Sequence, residues 1–438
     1  MTRAGSKYGL PKQWLPFVGP KLGVANAVYS LAIDPDDLAV HQVFPATTSL
    51  GRLLNYQGDI NPRAGGAGAT LLSATNCAMG ELLERYASFA HDGSDRILLS
   101  YHELAERGCR PVAFDQLQQF SDRQYRSGTF PYERFTRETR VGWLAGTNLL
   151  DGLLTYVPGQ LATLGYRRRS DEIARCFYPT SSGCAVATSA EEALSKGLLE
   201  TIERDAFMIR WYARMAPPRL ALDAAKVFGD VTGLPKQKLE ISFHDLTIDG
   251  DIPVVGVTCF ERTGRQCFFI ISAAAALDVS LAARKALVEA GQGRPFVKSL
   301  VGISSAPGKD SSFEDFDSNV RFYAEPLNAD YVEWFAENKS VSARTFAIRS
   351  DKTYLDSLAY LLDYCASRAF TPIAFDLTTP EMIDAGLVAC RVIVPELVPL
   401  GVPSAPSLGH PRLAHFINCS KHPVGAVEIP EWIPHPFP

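Results

Sequence analysis

The chain has 438 residues, 46% hydrophobic and 21% charged, with a formal net charge of −5. That is an ordinary globular balance with ample apolar material for a core. It lacks the basic excess of a nucleic-acid surface, and its one basic run, Arg167-Arg168-Arg169, is short and followed by Asp171 and Glu172, as in a solvated loop. The first residues carry no apolar h-region, and the longest apolar run, Cys267 to Leu277, is far below the roughly 20 residues of a spanning helix, so a cytoplasmic protein is expected. Nine cysteines occur with no Cys-x-x-Cys pair, which argues for reduced, partly buried thiols and against structural zinc.

Length alone favours two or three domains, but no low-complexity linker divides the chain. The expected organisation is an N-terminal segment, 1–60, packed on a main domain, 61–438. A glycine-rich stretch, Arg63 to Thr70, reads equally as a phosphate-facing loop or a plain turn. It leads into a helix over about Ser73 to His91. Strand-like pieces follow at Gly142–Ala145 and Leu154–Val157. A second helix spans about Ser189 to Arg214, opened by the capping-box pattern Ser189-Ala-Glu-Glu192. The β-branched and aromatic runs Leu239–Phe243, Pro253–Cys259 and Cys267–Ile271 read as strands. A third helix is expected over about Ser280 to Gln292, and a strand–helix set between Arg344 and Asp376. The mixture is α/β, in the mixed α+β sense. The last 44 residues, from Pro395, hold ten prolines and Phe416, Trp432 and Phe437, so the tail is expected to run extended and packed.

Charge placement on the helices points to chemistry. With about 100° per residue, Lys196, Glu200, Glu203, Arg204, Phe207 and Trp211 share one side of the second helix, opposite Leu194, Leu198, Ile202 and Ile209. A solvated ion-pair face rarely carries two large aromatics, so this side is expected to be covered or to line a cleft. The first helix repeats the pattern: Cys77, Glu81, Glu84, Arg85 and Ser88 lie opposite Met79, Leu82, Leu83, Tyr86 and Ala90. Glu-Leu-Leu-Glu-Arg (81–85) matches Glu-Thr-Ile-Glu-Arg (200–204) in its charges, and the third helix adds Glu289, Gln292 and Arg294. If the three helices converge, their carboxylates repel one another unless a cation joins them. Mg²⁺ prefers such hard oxygens and shares its shell with nucleotide phosphates, which Arg85, Arg204 and Arg294 would clamp. No Walker loop is present.

From about residue 60 onward the chain resembles the YcaO family. The resemblance rests on Cys77-x-x-x-Glu81-x-x-Glu84-Arg85, on Glu191-Glu192-Ala followed by Glu200-x-x-Glu203-Arg204-Asp205, on Glu289-x-x-Gln292-x-Arg294, and on the closing Pro434-His-Pro436-Phe-Pro438. It implies a YcaO-type fold, with mixed and antiparallel sheets and helices lining an ATP cleft. It implies ATP and Mg²⁺ as cofactors, the metal held by Glu81, Glu84, Glu200 and Glu203. Nucleotide contacts then fall to Cys77, Arg85, Arg204, Glu289, Gln292 and Arg294. The terminal Pro-x-Pro-x-Pro and Leu408-Gly-His-Pro-Arg412 resemble those of azoline-forming cyclodehydratases of ribosomally made peptides. In these a peptide Cys, Ser or Thr attacks the preceding backbone carbonyl, ATP phosphorylates the oxygen, and phosphate leaves. The C-terminal carboxylate, on Pro438, is the base this resemblance implies, with Arg204 beside it as the other catalytic residue.

The expected partners are a precursor peptide and a separate leader-binding protein of the ubiquitin-activating-like family, because the motifs begin too near the N-terminus to leave room for a fused one. A flavin dehydrogenase in the same complex is a further candidate, and a homodimer within a larger complex the expected assembly. Two positions depart from the family pattern: Cys77 replaces the usual Ser and donates only weakly, and Ala67 stands where a Lys is frequent. Two rivals share these features. One is another YcaO amide activation, thioamide or macroamidine formation; the other is a non-catalytic scaffold that presents peptide.

Overall fold

The computed structural model describes residues 10–437 apart from 22, 33–36, 39, 48, 56–59, 61, 173, 229–238, 264–265, 301–315, 325–327, 329, 347–352, 403 and 421–432. Its named strands make three sheets, antiparallel throughout. The first contains β1 (Ala25–Ser30), β2 (His41–Thr47) and β3 (Gly66–Gly68) in that order. The central sheet joins β4 (Ile97–Leu99), β5 (Val141–Asn148), β6 (Leu154–Pro158), β7 (Cys184–Ala187), β11 (Ile373–Asp376) and β12 (Val388–Ile393), in the order β4-β5-β11-β12-β7 with β6 on β5. The third is a meander of β8 (Leu239–Asp245), β9 (Val254–Thr263) and β10 (Gln266–Ala275). Among the described residues no helix is long and apolar enough to cross a membrane.

Three long helices tie these sheets together. Helix α1 (Leu71–Ala90) starts at Thr70, whose side chain accepts from Ser73 N while Ser73 Oγ accepts from Thr70 N. Helix α2 (Ala190–Tyr212) starts at Ser189, which accepts from Glu192 N at 3.2 Å. The reciprocal half of the expected capping box does not form, because the Glu192 carboxylate turns to Lys196 at 2.8 Å. Helix α3 (Val279–Leu300) runs past its expected end at Gln292 and contains Pro295. A proline costs an internal hydrogen bond, about 3 kcal/mol. Buried Arg294 and Val297 on the same turns hold the helix against that cost. Helix α4 (Tyr354–Ser367) packs on α2, and α5 (Pro411–Cys419) follows the central sheet.

Helix α1 lies against β3 and β7, α2 against β7, β12 and β10, and α3 against β10, β9 and β3. Helix α2 is thus the pivot between the central sheet and the meander. Its core stripe, Leu198, Ile202 and Ile209, is buried, with Leu194 half-buried at the edge. Phe207 and Trp211 on the other side are also fully buried, against Phe335 and Trp334, so that side is covered by a further layer. Each such side chain contributes about 1.5–3 kcal/mol of burial. The tail contributes to this layer: Ile433, His435 and Phe437 are buried, His435 Nε2 donates to Gly401 O at 3.0 Å, and Tyr323 Oη donates to Pro434 O. Trp432 and Pro438 lie outside the described residues.

The glycine-rich stretch is neither a cradle nor a turn. Gly66 and Gly68 form β3 and let α1 approach closely: a Cβ on Gly66 would sit 2.2 Å from Ala78 N, and one on Gly68 2.1 Å from Ser73 Oγ. Glycine is required there by contact with the helix.

Candidate active site

The repeated Glu-x-x-Glu-Arg motifs are aimed by strands. Each of the four glutamates accepts one backbone N–H from a strand or its lead-in. Gly65 N donates to Glu81 Oε2 at 2.8 Å, Val186 N to Glu84 Oε1 at 3.2 Å, Gly183 N to Glu200 Oε2 at 3.3 Å, and Ala275 N to Glu203 Oε2 at 3.1 Å. Helical spacing places two carboxylates on one face of each helix. The strand amides then fix the rotamers, leaving the second oxygen of each for an arginine or a ligand.

Those second oxygens are only partly balanced. Arg85 Nη2 donates to Glu81 Oε1 at 2.5 Å and Arg204 Nη2 to Glu200 Oε1 at 3.3 Å. Arg204 Nη1 is 3.1 Å from Glu203 Oε1 but outside hydrogen-bond alignment, and Arg204 Nε has no partner. Burial, then the charges of Glu200 and Glu81, pushes the Glu84 carboxyl up to about 8. Burial, with Glu200 adding to it and Arg204 opposing it, pushes Glu203 up to about 7. Burial likewise raises Glu200. Glu289 of α3 opens to solvent, yet the surrounding protein and then Glu203 and Glu200 raise its carboxyl as well. The mutual influence of Glu81, Glu84, Glu200, Glu203 and Glu289 shows that α1, α2 and α3 bring their carboxylates to one place.

Other expected site residues are placed as follows. Cys77 is exposed at this cluster, and burial of its sulfur, then Glu289, holds its thiol in the protonated form. Gln292 reaches the glycine stretch: its Nε2 stands 2.6 Å from where a Cβ on Gly65 would lie. Arg294 corrects the expectation of a phosphate clamp. It is 3% exposed, its Nη2 and Nε bond Glu261 Oε2 at 2.6 and 3.1 Å, and its Nη1 bonds Asp37. Its donors are occupied by buried carboxylates, so it anchors α3 to β9. Ser88, which shares the acidic face on the wheel, is fully buried and accepts from Leu164 N at 2.9 Å.

The resemblance brought the tail to Arg204; the partners of Asp205 escaped the sequence reading. The Phe437 ring lies 4.3 Å from the Arg204 guanidinium and 4.6 Å from the Phe207 ring, so the tail reaches this site from one side. Asp205, next in sequence to Arg204, points the other way. It accepts from Val398 N at 2.8 Å and from Arg412 Nε and Nη2 at 2.9 Å each, and Arg412 also bonds Asp249. This clamp fixes the start of α5, and hence the approach of the tail, to α2. Its signal was the Asp following each glutamate–arginine pair in one motif and not the other: Asp205 against Tyr86.

Among the described residues no three His, Cys, Asp or Glu side chains form a ready-made metal cage. Mg²⁺ is ordinarily held by one or two carboxylates together with substrate phosphates, which requires no such cage.

The family model for YcaO cyclodehydratases, described as ATP- and Mg²⁺-binding, matches residues 65–398. No curated protein sequence matches the chain. Among solved structures, a heterocyclase in complex with substrate and cofactor aligns with a TM-score of 0.71 and 21% identity, over 88% of this chain and 52% of that one. The chain therefore spans about half the length of that heterocyclase. YcaO from Methanopyrus kandleri, bound with AMPPCP and Mg²⁺, gives 0.56 and 18% over 85% and 86%. The E. coli microcin synthetase McbBCD complex with pro-MccB17 bound gives 0.62 and 15% over 94% and 96%. At these identities the likeness shows the fold.

Proposed function

Because the chain belongs to the YcaO family of ATP- and Mg²⁺-binding cyclodehydratases, we propose that it closes Cys, Ser or Thr residues of a ribosomally made precursor peptide into thiazoline or oxazoline rings. The observation that carries this reading is the juxtaposition of the convergent carboxylates with Arg204 and the tail residue Phe437. The raised proton affinity of Glu84, Glu200 and Glu203, with too few cations around them, fits a hard divalent cation. Arg204, with an unpartnered Nε beside them, fits a phosphate oxygen.

When bound, Mg·ATP supplies the phosphoryl group that turns the amide oxygen into a leaving group. The chain's own residues do the rest. Glu81, Glu84, Glu200 and Glu203 would hold the metal. Arg204, Arg85, Cys77, Glu289 and Gln292 orient the nucleotide. The buried face of Phe207 and Phe437 excludes water and holds the Arg204 plane by a cation–π contact. Phe437 lies over Arg204, which supports a tail that borders the reacting groups. A leader-binding partner presents the peptide, as the fold shared with a member of the E. coli complex would permit.

The test uses the purified chain, a leader-binding partner, ATP, Mg²⁺ and a Cys-containing precursor, read by mass spectrometry. Loss of one water per ring, dependent on ATP and with matching phosphate release, is the expected result. ATP turnover with no mass change in the peptide would sink the azoline reading.

A further inference from the structure

The central sheet carries a second charged feature that the cyclodehydration reading leaves unused. Arg391, on β12, pairs across the ladder with Cys184 and Phe375, and its side chain is 4% exposed. Its Nε and Nη1 are buried with no hydrogen-bond partner. No carboxylate lies within ion-pair range of it among the described residues, so a guanidinium sits in the interior with two donors unmet. Such a group costs free energy unless something answers it. Arg391 borders a cavity of about 70 Å³ between α2 and the central sheet, where one water takes about 10–15 Å³ on the same measure. The space admits one small oxyanion.

The walls have complementary chemistry. Arg204 and Thr201, one turn apart on α2, line the cavity from the side of the acidic cluster, so Arg204 borders both places. Thr180 lines it with a hydroxyl whose oxygen accepts from Ser182 N, leaving its O–H free to donate. The rest of the wall is mainly apolar, including Leu117, Val157 and Val392, and low-dielectric surroundings strengthen the pull of buried guanidinium groups on an anion. Two wall groups offer acceptors. Gln116 Oε1 is buried without a partner. His410 is 1% exposed, its Nε2 bonds Pro395 O at 3.0 Å, and its Nδ1 has no partner. A ring that donates from Nε2 to a carbonyl is left with a lone pair on Nδ1. Several donors with two acceptors suit a tetrahedral anion that still carries a proton.

We propose that this cavity binds hydrogen phosphate, at a site distinct from the nucleotide's and joined to it through Arg204. Its role as a holding place for the phosphate that turnover releases rests on the reading given above; binding itself does not. The site lets the cleaved phosphate move behind α2, away from the acidic cluster, before it leaves.

The test titrates inorganic phosphate into the full chain with neither nucleotide nor metal, read by calorimetry and ³¹P line width. The titration is repeated with sulfate, with saturating AMPPCP and Mg²⁺, and with Arg391→Met and Arg391→Lys. Saturable phosphate binding is expected, weaker for sulfate, which offers no proton to His410, and persisting when AMPPCP is bound. Arg391→Met should lose at least about tenfold in affinity and Arg391→Lys less, since Lys keeps the charge without two separated donors. Competitive displacement by AMPPCP would show the anion in the nucleotide's own site and overturn the proposal. So would sulfate binding as tightly as phosphate, no saturable binding, or unchanged binding by a folded Arg391→Met. If the Met variant does not fold, the wild-type competition and sulfate arms decide alone. Because no turnover is measured, absence of ring formation elsewhere leaves this result standing, and its failure leaves the cyclodehydration reading untouched.

Discussion

Arg204 and Arg294 enter the sequence as equivalents, each an arginine at the end of a glutamate-bearing motif. The structure separates them. Arg294 is buried between Asp37 and Glu261 with its charge balanced on both sides. Arg204 faces Glu200 and Glu203, which outnumber it, keeps an unpartnered Nε, and lies over an aromatic ring from the tail. The difference teaches that local charge balance, more than burial or motif position, separates an arginine that holds the fold from one with donors left for a ligand.

The comparison breaks first at the carboxylates. Glu203→Gln keeps the shape and the bond from Ala275 N but removes a charge from the cluster. A metal ligand is worth several kcal/mol in the transition state, so kcat for ring formation should fall by at least about 100-fold, with Tm unchanged or raised. A Gln variant within threefold of wild type would take Glu203 out of the metal site. Next, Arg294→Met takes the guanidinium away from two buried carboxylates, Asp37 and Glu261, which should cost about 3–5 kcal/mol, read as a lower denaturant midpoint. Arg204→Lys should do the reverse, preserving that midpoint while lowering kcat about tenfold, because a point charge does not reproduce a planar fork. If both variants lose stability alike, the contrast drawn between the two arginines is wrong.

A smaller effect sharpens the same contrast through pH. Glu84 and Glu203 have folded pKa values of about 8 and about 7, above the usual value near 4.3. Between the unfolded and folded values the native chain binds more protons than the unfolded one, so their contribution to stability falls as pH rises through that window. The metal must displace those protons. Mg²⁺ binding should therefore tighten from about pH 6 to 8.5 and release protons, measured as a dependence of calorimetric heat on buffer ionisation enthalpy. Glu84→Gln should flatten both trends; an unchanged pH slope in that variant would remove Glu84 from the coupled set. The smallest effect is expected of Cys77→Ser. Its thiol stays protonated at the rim, so a stronger hydroxyl donor should alter the KM for ATP by no more than about twofold. A larger gain would mean that the thiol withholds a bond to the nucleotide.

The sequence was most legible where the determining interactions are local. Helices α1 and α2 fall within two residues of their expected bounds, because Thr70 and Ser189 cap them through groups three residues away. The strands of the meander were visible for the same reason, being neighbours in sequence with β-branched runs. The central sheet was not, because β5 pairs with β11 and β7 with β12 across some 200 residues, and no local pattern encodes that choice. The same divide explains the site. The glutamates and Arg204 were readable from helical spacing. The fate of Arg294 depended on Asp37 and Glu261, remote in sequence, and the stretch 65–68 on how closely a helix would approach it.

The amide that aims Glu200 has a consequence for tracing descent. Gly183 donates it from a left-handed backbone conformation, φ +80°, and a Cβ there would stand 2.0 Å from Val392 O. A descendant that replaced this glycine would retain every acidic residue of both helices, pass any survey of their signature, and hold Glu200 wrongly. Lineages that have drifted into silent copies are therefore to be sought at the glycines ahead of the strands as much as at the acids themselves.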